Sequence, residues 1–264
     1  MVSENPIIDL LNEFIEINIV GINRIIPDYI KQLGLDPMKD AGSGKDSVKI
    51  SNECTATVNY NFSCLKGLHS LSISRFEIMS IEKANITNCP KKLEGSFIVG
   101  NVQIDAELGS EIQCNVKGNV EKIECNGISI PLPSELKYSA IIHAKNVESN
   151  NAYISLFAHI NDKKLALECI KITKFQISYS ESFVDHFTLE WKNKNIHTEI
   201  PYQQEISKAI LALLKEKIDP VITPKIQSTV EEQVNDNLPL CVGLDDLRKI
   251  IPKNAHDVPQ ITCP

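Results

Sequence analysis

The chain has 264 residues, 42% of them hydrophobic, and a formal net charge of -7. That length and apolar share allow a sizeable core, in one large domain or two small ones. The acidic balance and the lack of a dense Lys/Arg cluster argue against nucleic acid or a strongly anionic membrane as main partner, because both demand phosphate neutralisation. Lys91-Lys92 and Lys192-Asn193-Lys194 come nearest to basic clusters and read as solvated loop or strand ends.

From Pro6 to Leu35, Ile8, Leu11, Ile15, Ile19, Ile22, Ile26, Tyr29 and Leu33 recur three or four apart, on one face of a helix. Ile7, Leu10, Phe14, Ile17 and Ile25 widen that face, which then needs a large apolar cover. Ser3 or Asn5 can cap the start, and Pro27, which lacks an amide hydrogen, should kink or end the helix. Gly34 and the turn-like Leu35-Asp36-Pro37-Met38-Lys39-Asp40 close the segment.

Residues 40–47, with Ala-Gly-Ser-Gly-Lys, read as a flexible connector, and beyond them the period changes to alternation. Ala56, Val58, Tyr60, Phe62 and Cys64 share one strand face, with Thr55, Thr57, Asn59, Asn61 and Ser63 on the other. The alternation returns at Leu71 and Ile73, at Val102, Ile104, Ala106 and Leu108, and at Tyr138, Ala140 and Ile142. It recurs at Ile154, Leu156 and Ala158, at Leu165, Leu167 and Cys169, and at Phe175, Ile177 and Tyr179. Turn signals at Gly118-Asn119, Asn126-Gly127, Pro131-Leu132-Pro133, Ser149-Asn150-Asn151 and Asn161-Asp162 separate the runs. No intervening helix is long enough for a parallel crossover, so the middle reads as an antiparallel meander.

Helical periodicity returns between Tyr202 and Val234, through Ile206, Ile210, Leu213, Leu214, Ile218, Val221, Ile222, Ile226 and Val230, with Pro220 and Pro224 as bends. Two amphipathic helices would then flank one extended sheet, lying along its apolar face. The tail after Asn235 holds Cys241, a short helical pattern from Leu244 to Ile251, and Cys263. The domain expectation is one unit over residues 1–235 and a tail over 236–264.

The eight cysteines show no Cys-x-x-Cys spacing, and no His lies at zinc-finger distance, so no metal site is expected. Disulfides in an oxidising compartment explain them better, with Cys241–Cys263 one candidate bridge among several. The sequons at Asn61 and Asn85 point the same way. No apolar leader follows Met1, so the expectation is a mature, secreted chain whose signal peptide has been removed. No stretch approaches the roughly 18 continuous apolar residues of a membrane span.

The order of elements, with Asp36-Pro37-Met38-Lys39 closing the first helix and Lys66-Gly67-Leu68 after the first strand, resembles the arthropod secreted proteins typified by the group-seven mite allergens. Those are similar to the juvenile-hormone-binding and takeout proteins and to the lipid-binding half-modules of bactericidal/permeability-increasing protein. The resemblance covers roughly residues 6 to 235. It implies an elongated α+β domain in which a strongly curved antiparallel sheet wraps around long N- and C-terminal amphipathic helices, leaving an apolar pocket for lipid-like ligands. The eight cysteines, two sequons and the tail have no counterpart in the mite pattern.

A carrier of fatty acids, terpenoids or similar lipids is the expected function. Its candidate cavity residues are Ile15, Ile22, Ile26, Val58, Tyr60, Phe62, Ile104, Ile142, Leu156, Phe175, Ile177, Ile210, Leu214 and Ile218. Tyr60 or Tyr138 could offer a hydroxyl to a head group or bond backbone instead. No nucleophile elbow, metalloprotease motif, phosphate loop or dinucleotide fingerprint is present. The six histidines stand alone, His143 and His159 reading as solvent-facing. An enzyme, a cofactor, a nucleic-acid partner and stable membrane insertion are therefore not expected. A homodimer through the convex sheet or an edge strand stays open, as does a surface-active or innate-immune role on lipid aggregates.

Overall fold

The computed structural model describes residues 6–84, 96–130, 132, 136–161, 164–191 and 203–243. Helix α1 (Pro6–Gln32) does not end at Pro27 but continues past it, and closes with a left-handed Gly34 (φ 68°). There the Leu35 amide donates to Ile30 O at 3.0 Å and the Gly34 amide to Lys31 O, so the last carbonyls are satisfied by a Schellman turn.

Among the described residues eleven strands follow, in two sheets rather than one. The first sheet orders β1 (Met38–Lys49), β2 (Cys54–Lys66), β5 (Ile112–Cys125), β7 (Leu136–Lys145) and β10 (Glu181–Trp191), with β6 (Ile128–Ile130) beside the end of β5. The second orders β11 (Leu240–Gly243), β9 (Lys164–Lys174), β8 (Glu148–Asn161), β4 (Phe97–Leu108) and β3 (Leu71–Ala84). All pairings are antiparallel.

The chain changes sheet at one seam, after β2, β4, β7 and β9. Gly67 (φ 104°) and Asn146 (φ 50°) take the left-handed backbone that two of these corners need. Ser110 Oγ and Ser70 Oγ are bonded at 2.8 Å across the seam, and the Leu108 amide donates to Val147 O.

Helices α2 (Gln203–Glu216) and α3 (Thr223–Asp236) are joined by a π turn, Ile218–Ile222, that holds Pro220, while Pro224 falls in the first turn of α3. The curved first sheet brings both edge strands, β1 and β10, against α2. Ile206, Ile210 and Leu214 of α2 are fully buried there against Val58, Phe62, Val116 and Leu136. This closed core holds α2, while α1 lies along the edge of the second sheet and reaches the core only near its C-terminal end, through Ile30.

Several expectations are thus corrected. No single sheet wraps the two terminal helices: there are two open sheets, and the C-terminal helical stretch is two separate helices. The glycine-rich connector is strand β1, and Gly118 sits in mid-β5 rather than at a turn. The physical reason is a row across four strands, Gly44, Tyr60, Gly118 and Tyr138, which pair in turn. Each tyrosine ring covers the neighbouring glycine, so those glycines serve close approach rather than flexibility. Ser149-Asn150-Asn151 lies inside β8, at a bulge, and Phe175, Ile177 and Tyr179 form an extended connection. Bulges also turn two cysteines away from their expected rows: Leu65 replaces the half-buried Cys64 in the core, and Cys169 shares the face of Phe157, not that of Leu167. Strand β11 lies beyond residue 235 and pairs with β9. The tail pattern Leu244–Ile251 falls outside the described residues.

Candidate functional site: an apolar trough on the second sheet

Cross-strand partners in a ladder point to the same side, so the registers define the two faces of the second sheet. One face carries Ile73, Phe76, Ile78 and Ile81 of β3, opposite Ala106, Ile104, Val102 and Gly100 of β4. It continues through Ala152, Ile154, Leu156 and Ala158 of β8 to Ile172, Ile170 and Leu167 of β9. Val102, Ala106, Ala152, Ile170 and Ile172 are buried, and the others are only half-buried. The opposite face mixes Glu77, Glu82, Asn101, Ser155 and Lys171 with Val99 and Phe157. It holds a shallow depression of about 230 Å³ lined by Glu82, Val99, Asn101, Phe157 and Lys171 among others.

The edges of this sheet are finished by α1 along β3 and, beyond the short strand β11, by α3 along β9. On β3, the Asn12 side-chain amide donates to Ile78 O at 3.1 Å and its oxygen accepts from the Ile78 amide at 2.7 Å. Asn23 repeats the pair on Ile73, at 2.9 and 2.8 Å. The spacing works because Asn12 and Asn23 are about 16 Å apart along a helix, as Ile78 and Ile73 are along a strand. On β9, Asn235 bonds Ile170 N and O at 2.8 and 3.0 Å, while Glu231 accepts from Ile172 N and Gln227 donates to Ile172 O.

The helices therefore stand as walls. Along α1, Ile15 and Ile22 lie on one row with Ile26 and Leu33, and the latter two pack against the main core beside Leu71 and Leu108. Leu71 and Leu108 in turn continue the apolar sheet face. On α3, Ile226 is in that core, Val230 packs on it, and half-buried Val234 extends the row. The result is a trough with an apolar floor, two helical walls and one end closed by the core.

The predicted cavity residues divide between these places. Val58, Tyr60, Phe62, Ile142, Ile210, Leu214 and Ile218 are all at most 6% exposed inside the closed core, with Ile26, Phe175 and Ile177 packed against it. Ile15, Ile22, Ile104 and Leu156 belong to the trough. Residues the sequence pattern did not mark are Phe76, Ile78, Ile81, Ile98 and Leu240 on the floor, together with Asn12 and Asn23. Extra residues at Ser74 and Met79 break the alternation of β3, which hid its face.

Tyr138 donates to Asn59 O at 2.9 Å and Tyr60 to Asp46 Oδ2 at 2.7 Å, so both hydroxyls are engaged within the protein. His143, expected to face solvent, is 9% exposed: its ring stacks on Phe183 and its Nδ1 lies 3.1 Å from Glu111. Cys54 and Cys125 form a disulfide across β2 and β5, and Cys169 and Cys241 are disulfide-bonded as well. Cys263 and Asn85 lie outside the described residues; Asn61 is exposed on β2. Among the described residues no three His, Cys, Asp or Glu side chains are grouped to hold a metal ion, and no helix is long and apolar enough to cross a membrane.

The fold and trough define an open two-sheet antiparallel scaffold with helix-sealed edges. No family model matches the chain, and no curated protein matches it. Among solved structures, the crystal structure of lipopolysaccharide binding protein is similar over 81% of this chain and 37% of that one, at 11% identity and a TM-score of 0.30. The chain thus spans well under half the length of that protein.

Proposed function

We propose that this protein is a non-enzymatic, secreted carrier that holds a small hydrophobic ligand, such as a fatty acid, terpenoid or similar lipid, in the trough of the second sheet. The observation that carries the reading is the half-buried apolar floor running from the closed core between α1 and α3. A chain that leaves such a surface only partly covered loses some burial of each side chain, and a ligand restores it at up to about 0.8 kcal/mol per methylene. The Cys54–Cys125 disulfide supports an oxidising compartment, and exposed Asn61 is accessible for glycosylation.

The test is displacement of N-phenylnaphthylamine, a neutral apolar dye, by straight-chain alcohols of rising length. Affinity should climb up to about fourfold per methylene until the trough is filled. Leu156→Asp should abolish it while leaving the closed core intact. Absence of dye binding by the folded protein would overturn the carrier.

A second reading rests on Ile17, Val20, Ile25 and Tyr29 of α1, each at least 51% exposed. They suit a surface-active protein that engages lipid aggregates. Vesicle co-sedimentation lost in Ile17→Asp but retained in Leu156→Asp would favour it.

A further inference from the structure

Among the described residues the trough floor has one charged side chain. Lys83, near the end of β3, pairs across the ladder with Ile98 and so shares the side of Ile81 and Val102. It is exposed and makes no ion pair among the described residues. Some strand cations sit beside acids, as Arg75 by Glu77, Lys45 by Glu121 and Lys122 by Glu124, but of the strand cations Lys83 is the one on this apolar face. The two ends of the trough also differ. Where Ile73 and Ala106 lie, the floor passes to Leu71 and Leu108 and into the closed core. Lys83 lies at the other end, next to Ala158 through Ile98, where exposed Leu240 of β11 extends the floor beside Leu167.

We propose that the trough binds single-chain anionic amphiphiles tail first, with the carboxylate or phosphate head at Lys83 and the chain directed toward the core. This rests on the carrier reading. A cation on a flexible stem beside an apolar floor can keep its stem on the floor and its ammonium in water, where it meets an anionic head without desolvating it. A neutral chain would gain the same floor and nothing at Lys83.

The experiment measures displacement of N-phenylnaphthylamine by palmitate and by cetyl alcohol, using the full-length protein and its Lys83→Gln and Lys83→Glu variants. Palmitate should bind more tightly than the alcohol, by about fivefold at low salt, the scale of one exposed ion pair. Lys83→Gln should remove that preference, Lys83→Glu should reverse it, and cetyl alcohol should bind all three proteins alike. Equal binding of acid and alcohol to the unsubstituted protein, or a preference that survives Lys83→Glu, overturns the assignment of the head group while the trough stands. Failure of both ligands to displace the dye overturns the carrier reading with it. Sodium phosphate alone should not displace the dye, and competition by it at the palmitate concentration would show a simple anion site instead.

Discussion

Asn12 completes the free edge of β3: its carboxamide takes both the amide and the carbonyl of Ile78, as a neighbouring strand would. Asn23 does the same for Ile73, so a helix seals an edge that would otherwise invite another chain. Asn12→Ala or Asn23→Ala leaves one backbone donor and one acceptor to find water in a half-buried place. Each should cost about 1–2 kcal/mol in urea unfolding. Hydrogen exchange is the sharper measurement, because the Ile78 amide should speed up in Asn12→Ala and the Ile73 amide in Asn23→Ala. Unchanged exchange at both would mean that apolar packing alone seats α1.

Gly44 and Gly118 each lie under a tyrosine ring. A Cβ on Gly44 would stand 2.6 Å from Tyr60 Cζ, displacing the ring and its bond to Asp46. On Gly118 it would meet the Asn59 carbonyl as well as Tyr138, and backbone yields less than a side chain. Gly44→Ala should therefore cost about 1–3 kcal/mol and Gly118→Ala more, measured by thermal melts. The order of the two is the informative outcome, since simple loss of glycine flexibility would make both substitutions neutral or stabilising.

Individual elements could be read from periodicity, though not their assembly into two sheets: α1, the alternating face of β2, and the antiparallel pairing where Asn126-Gly127 turns β5 into β6. The junction motifs were legible as words but not as a contact. Asp36 accepts from the Gly67 amide at 3.1 Å and the His69 amide at 2.7 Å, joining the exit of α1 to the corner after β2. Pattern also could not separate a glycine that bends from one that clears space, which turned β1 into a linker. Nor could it count bulges: one extra residue at Ser74, Met79, Cys64 or Glu168 flips every side chain beyond it. The trough was half visible for that reason. Ile104 and Leu156 stand on unbroken alternation, whereas Phe76 and Ile81 stand beyond bulges.

Two aspartates of β1 tie that strand to the C-terminal helices. The hydrogen bond from Tyr60, and then Lys217 at 3.0 Å, hold the Asp46 carboxyl below its ordinary 3.8; Lys225 and the Gly42 amide do so for Asp40. Tyr60 itself, pushed up to about 12 by burial and by Asp46, keeps its proton to donate throughout. A carboxyl whose folded pKa is depressed adds stability that is complete above its unfolded value, about 3.9, and is lost as pH falls through the folded value. Melts should therefore show stability declining below about pH 4, with a shallower decline in Asp46→Asn than in the unsubstituted protein. Parallel pH profiles for the two would remove Asp46 from the account of acid lability.

Cys114 carries a free thiol at 1% exposure beside the bulge at Cys64, and its Sγ donates to Ser63 O at 3.5 Å. Burial pushes that thiol up to about 12, the Ser63 contact lowers it in part, and neighbouring Cys64 raises it further. Because only the thiolate alkylates, Cys114 at about pH 8 should react with iodoacetamide about a thousandfold more slowly in the native protein than in urea. Peptide mass spectrometry after timed labelling reads this directly, and half-buried Cys64 should label first. The same measurement reports on the closed core, since Cys114 shares it with Val116, Phe62 and Leu65. A ligand confined to the trough should leave the Cys114 rate unchanged, whereas one that entered between α2 and the first sheet would open the core and raise it.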